Sequence, residues 1–129
     1  MARYSILITH SPGEISHTIA AQRFARQVAG AGHMLSNIFF YGNGTYHANA
    51  FMQIPSDEHQ SYSEWCDISR DARCPLMVCV TAAVKRGLLC ATEAQDAGVT
   101  AVTLQAPFEQ VGLGEFFTQL HDCDHLVQF

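Results

Sequence analysis

Charge is scarce in this sequence. Asp, Glu, Lys and Arg make up 15% of its 129 residues, against 48% hydrophobic residues. So thin a charge is at the low end for a lone soluble chain and is consistent with other subunits covering part of the surface. Lys and Arg number seven, scattered without a basic run, and the formal net charge is -5 with His neutral. Nucleic-acid binders carry a basic face or stripe, so direct contact with nucleic acid is not expected. A membrane-surface role has no support either. No apolar run approaches the ~20 residues of a membrane-spanning helix. The first run, Ile6-Leu7-Ile8, is too short for a signal-peptide core, so the expected location is the cytoplasm.

Metal and phosphate motifs are missing as well. The five cysteines, Cys66, Cys74, Cys79, Cys90 and Cys123, are odd in number and irregular in spacing. In a reducing compartment they are expected to be free thiols. Cys74 and Cys79 do not form a CxxC pair, and no second cluster completes a zinc site. None of the seven histidines sits in an HExxH or HxxxH pair within one expected helix. Thr9-His10-Ser11-Pro12-Gly13-Glu14 is neither a P-loop nor a GxGxxG turn, and Gly42-Asn43-Gly44 and Gly112-Leu113-Gly114 stand isolated. No metal and no cofactor are expected.

What is present is alternation. Residues 3–9 read as a buried strand, and residues 16–29 as a helix with Ile19, Phe24, Ala25 and Val28 on one face, capped by Ser16. Residues 35–41, with Ile38-Phe39-Phe40-Tyr41, read as a second strand. Strand, helix, strand is a βαβ unit and implies a parallel sheet. Tyr46 to Met52 reads as a short helical turn. Pro55-Ser56-Asp57-Glu58 reads as a helix entrance capped by Ser56 or Asp57, with Tyr62, Trp65 and Ile68 at helical spacing behind it. Further strands are expected at 75–80, 99–104 and 125–129, and further helices at 81–86, 92–97 and 114–120. The expected fold is a single domain spanning 1–129, a three-layer α/β/α arrangement around a mainly parallel sheet of about five strands.

In such sheets chemistry collects beyond the carboxyl ends of the strands. Those positions are Thr9 to Gly13, Tyr41 to Thr45, Cys79 to Thr81 and Gln105 to Phe108. Cys79 is the candidate catalytic residue, because it stands where a strand gives way to a helix. The unpaired N–H groups of a helix's first turn favour an anion, which for a cysteine is the reactive thiolate or persulfide. The same residue also fits plain packing, since Met77, Val78 and Val80 surround it. Lys85 and Arg86 read as solvated helix-end charges too far along to pair with it. Cys66, Cys74, Cys90 and Cys123 read as structural. His10, at a strand's carboxyl end, is the best placed histidine and is expected at the surface or in support of the site.

Taken in order, these segments resemble the TusD/DsrE sulfur-relay family over essentially the whole chain. The shared features are Ile38-Phe39-Phe40-Tyr41 followed by Gly44 and Ala48-Asn49, then Ser56-Asp57-Glu58, then Val78-Cys79-Val80-Thr81-Ala82-Ala83 with Arg86-Gly87. Thr92-Glu93-Ala94, Gly112-Leu113-Gly114 and the ending Cys123-Asp124 to Val127-Gln128-Phe129 complete the set. The chain departs from the family pattern at His125, where Arg is common, and in a first loop less rich in glycine. The resemblance implies a sulfurtransferase subunit that accepts sulfane sulfur as a persulfide on Cys79 and passes it on. It implies a heterohexamer with TusB-like and TusC-like (or DsrH/DsrF-like) subunits, a TusA-like donor and a TusE/DsrC-like acceptor with a C-terminal cysteine. The sulfur's destination is tRNA wobble 2-thiouridine, or in the DsrE branch dissimilatory sulfur oxidation. Two other readings are a non-catalytic assembly subunit with Cys79 inert, and a flavodoxin-like small-ligand binder.

Overall fold

A computed structural model describes residues 1–129. Five strands form one all-parallel sheet: β1 (Arg3–Ile8), β2 (Met34–Phe40), β3 (Leu76–Cys79), β4 (Phe108–Val111) and β5 (His125–Gln128), in the order β4-β3-β2-β1-β5. The helices are α1 (Ile15–Gly30), α2 (Ser61–Ala72), α3 (Val80–Lys85), α4 (Ala91–Ala97) and α5 (Leu113–Leu120). A 3-10 segment, Gly42–Ala48, follows β2.

The strand order dictates the layers. From β1 to β4 the chain steps in one direction across the sheet, so right-handed crossovers put their helices on one face. The return from β4 to β5, on the far side of β1, puts α5 on the other. Side chains along each strand divide accordingly. Ile6, Ile8, Ile38, Phe40, Leu76, Val78 and Phe108 pack with Ala21, Ala25 and Val28 of α1 and Trp65 and Ile68 of α2. Leu7, Phe39, Met77, Cys79 and Val111 pack with Phe116 and Leu120 of α5. The second face is therefore covered largely by one short helix. Phe117 and Leu126 remain about half exposed on it, at 56% and 48%.

Four elements differ from the expectation. The fourth strand is Phe108–Val111 and not 99–104. Of Val99 to Leu104 only Leu104 is buried. That segment runs outside the sheet, tied by Leu104 N–H to the Leu89 carbonyl (3.0 Å) and by the Thr103 hydroxyl to the Gly87 carbonyl (2.8 Å). Helix α2 starts at Ser61, with neither Ser56 nor Asp57 as its cap. Pro55 to Glu58 is a turn closed by Glu58 N–H to the Pro55 carbonyl (3.0 Å), and Gln60 Nε2 donates to that same carbonyl at 2.8 Å. Helix α1 begins one residue before Ser16, with Glu14 at its N-cap and no side-chain cap. The helical turn expected at 46–52 begins earlier, as the 3-10 segment.

That segment is pinned against β1. A Cβ on Gly44 would lie 1.9 Å from the Ile8 carbonyl oxygen, so only glycine fits there. Tyr41 N–H donates to the same carbonyl at 2.9 Å. The loop after β2 is thereby held at the carboxyl edge of the sheet, beside the end of β3.

Candidate functional site

Cys79 ends β3 and is the N-cap residue of α3. Strand parity turns its side chain to the thinly covered face, with Phe39, Met77 and Phe116. The residue is only 4% exposed, yet it lines an open cavity of about 570 Å³. No capping hydrogen bond ties its side chain to the first turn of α3.

Three strand ends build the cavity: Tyr41 and Gly42 after β2, Cys79 to Ala82 after β3, and Gly112 and Leu113 after β4. The loop Gln105 to Phe108 takes no part, because β4 begins at Phe108 and the carboxyl-end loop is the one that follows Val111. Gly112 and Leu113 were therefore missed as site residues. The available signal was slight, two apolar residues flanking two polar ones in Phe108-Glu109-Gln110-Val111, and the more apolar segment 99–104 outweighed it. The crevice between β1 and β5, where the strand order reverses, is closed instead. Thr9 N–H and hydroxyl both donate to the Phe129 carbonyl, at 2.9 and 3.1 Å.

Lys85 and Arg86, read from the sequence as solvated helix-end charges, also line the Cys79 cavity. Helix α3 has six residues, about 9 Å of rise, so its last turn still borders the space in front of its first. Arg86 is held in place. Its Nη1 donates to the Ala82 carbonyl (3.0 Å), its Nε and Nη2 donate to Asn43 Oδ1 (3.3 and 3.2 Å), and its guanidinium lies 5.9 Å from the centre of the Tyr46 ring. No histidine and no carboxylate lines the cavity. The chemistry it can host is that of a thiol beside two cations and the Thr81 hydroxyl, without a general base of the kind a Cys–His hydrolase uses.

His10 and His47 form a separate network on the other side of the sheet. Trp65 Nε1 donates to His47 Nδ1 (3.1 Å), so His47 carries its proton on Nε2 and donates it to the His10 carbonyl (3.1 Å). Burial pushes the His47 imidazole down to about 3, the neighbouring His10 adding to the effect. His10 is buried rather than at the surface. Its Nε2 pairs with the Thr18 hydroxyl at 3.2 Å while Nδ1 has no hydrogen-bond partner. Burial lowers its affinity for a proton too, partly opposed by the nearby Phe129 carbonyl. These histidines secure the loops after β1 and β2 and do not line the Cys79 cavity.

The other cysteines are placed as packing groups. Cys74 is buried and bonded to the Pro75 carbonyl (3.5 Å), with its thiol pushed up to about 12 by burial. Cys66 is raised as well, first by burial and then by Asp67. Cys90 donates to Gln110 Oε1 (3.1 Å) and Cys123 to the Gln119 carbonyl (3.7 Å).

The model of the DsrE/DsrF-like family matches residues 2–129. The chain belongs to that family. Among its curated relatives, the sulfurtransferase TusD of Enterobacter sp. (strain 638) is 35% identical over 98% of this chain and 99% of its own. The sulfurtransferase TusD of Salmonella newport (strain SL254) is 34% identical over the same shares. That of Yersinia pestis (strain Pestoides F) is 35% identical over 98% of this chain and 97% of its own. The crystal structure of the YchN protein from E. coli superposes with a TM-score of 0.76 at 15% identity, covering all of both chains, and attests the fold. Family membership and relatives together make sulfur transfer the activity class of this DsrE/DsrF-like chain.

Proposed function

We propose that Cys79 is the sulfur-carrying residue, accepting sulfane sulfur as a persulfide and yielding it to a downstream thiol. The observation that carries this reading is its position. Of the five cysteines, Cys79 alone lines the large cavity at the carboxyl edge of the sheet. The Cys79 thiolate attacks the outer sulfur of a persulfide R–S–SH. A new S–S bond forms to Cys79, the donor's S–S bond breaks, and R–S⁻ leaves as a thiolate. The proton stays on the transferred sulfur and no net oxidation occurs. The second transfer repeats the exchange with Cys79 as the leaving thiolate. Neither step needs a general base in the cavity, which has none.

The relay we infer is the one that ends in tRNA wobble 2-thiouridine, in the cytoplasm, since the curated relatives carry the TusD name. TusB-like and TusC-like subunits would complete a heterohexamer, with a TusA-like donor and a TusE-like acceptor. An apolar groove fits such an assembly. It is lined by Leu7, Phe39, Leu113, Phe116, Phe117 and Leu126 among others, and it continues from the Cys79 cavity through shared Tyr41 and Leu113. No helix is long and apolar enough to cross a membrane.

Mass spectrometry after incubation with a persulfide donor tests the assignment. The expected result is a gain of one or more sulfur atoms on Cys79, abolished by Cys79→Ser. Sulfur that persists in that variant, or maps to Cys66, Cys74, Cys90 or Cys123, would falsify it.

A further inference from the structure

The Cys79 cavity has a charge that sulfur exchange alone does not require. The chain is acidic overall, at -5, with only seven Lys and Arg. Two of those seven, consecutive in sequence, line this one cavity, and no carboxylate lines it with them. Arg86 is not a freely solvated end charge, being fixed by Asn43, the Ala82 carbonyl and Tyr46. Lys85 is exposed and engages no partner side chain, so its charge is available to a ligand. A partly enclosed space, half of whose lining residues are apolar, strengthens the field of such cations on whatever enters.

Resting on the relay reading and extending it to the substrate, we propose that Lys85 and Arg86 form an anion-selecting rim of the cavity. The favoured donor or acceptor carries a carboxylate close in space to its reacting sulfur. The carboxylate pairs with Lys85 and with the outward edge of the Arg86 guanidinium, and so brings the sulfur to Cys79. The same two charges oppose the thiolate that leaves in each exchange. A small thiol acid and a cysteine set in an acidic peptide both present this chemistry.

Alkylation measures the rim without persulfide chemistry. The rate at Cys79 is taken with iodoacetate, an anion, and with neutral iodoacetamide. The ratio is then divided by that of the urea-unfolded chain. At low salt the native protein should favour the anion by roughly three- to tenfold, and ~1 M salt should remove the preference. Lys85→Gln should remove most of it while breaking no hydrogen bond, and Arg86→Gln should lower it further. A normalised ratio near one in the native protein, or a preference unchanged in Lys85→Gln, overturns the rim and leaves the relay reading standing. An anion preference with no sulfur gain on Cys79 overturns the relay and leaves the rim. Two further arms separate the sources: a carboxylated small-molecule persulfide and a persulfide on an acidic peptide, each against an uncharged counterpart. The source is the arm whose acceleration is lost in Lys85→Gln, and acceleration in neither overturns the proposal.

Discussion

Lowering the pH from 7 to 5 should weaken this fold, most of all through His47. Its ring is fully buried, accepts from Trp65 Nε1 and donates to the His10 carbonyl, so the native state holds it neutral. Its value in the folded chain, about 3, lies below the ordinary 6.5 of the unfolded chain. As pH falls the unfolded chain therefore takes up the proton first. The contribution is fully present above about pH 6.5 and is lost progressively as pH falls toward about 3. Each pH unit within that window costs about 1.4 kcal/mol, so the drop between pH 7 and pH 5 is about 2 kcal/mol, rising to about 5 kcal/mol near pH 3. Trp65 is the only tryptophan and touches the titrating ring, so its fluorescence in urea titrations reads both global unfolding and this contact. His47→Gln keeps an acceptor for Trp65 and a donor for the His10 carbonyl but cannot titrate. Its loss between pH 7 and 5 should be smaller by about 2 kcal/mol, the His10 contribution being common to both proteins. In the wild-type protein the NMR signals of the His47 ring should stay at their neutral positions down to about pH 4. Equal losses in the two proteins, or a His47 ring that titrates near 6.5, would refute the reasoning.

Two further outcomes follow from the packing around the site. Gly44→Ala should prevent the 3-10 segment from seating on the Ile8 carbonyl and cost more than about 3 kcal/mol, read as a lowered urea midpoint or failure to fold. Timed alkylation at pH 7.5 with peptide mapping should leave Cys74 unmodified after Cys79 has reacted, because burial keeps the Cys74 thiol protonated. Early labelling of Cys74 would contradict its placement.

The βαβ start was legible because both of its periods are clean. Ile6-Leu7-Ile8 and Ile38-Phe39-Phe40 are continuous apolar runs of the kind a parallel strand buried on both faces needs, and the helix between them repeats at helical spacing. The fourth strand was not, since two segments compete for it. Val99 to Leu104 has the better β composition, but β4 must pair with β3, and Phe108 is the residue that meets Leu76 in register. A one-dimensional pattern weighs each segment alone, whereas the sheet selects by what its edge can still bond.

The sequence by itself determined the alternating α/β class and singled out Cys79 as a thiol at a strand-to-helix junction, because backbone periodicity and junction chemistry are local properties. Only the tertiary structure decided the rest. Strand parity aims Cys79 at the face covered by α5 and away from the layer of α1 and α2. Packing of three strand ends opens a cavity in front of a residue that is itself almost fully buried. The shortness of α3, and the grip of Asn43 on Arg86 from a loop 43 residues earlier, bring two cations to that cavity. The linked His47, Trp65 and His10 are likewise separated in sequence and were invisible as a network until the fold joined them. Each depends on which side chains share a volume, and spacing along the chain does not record that.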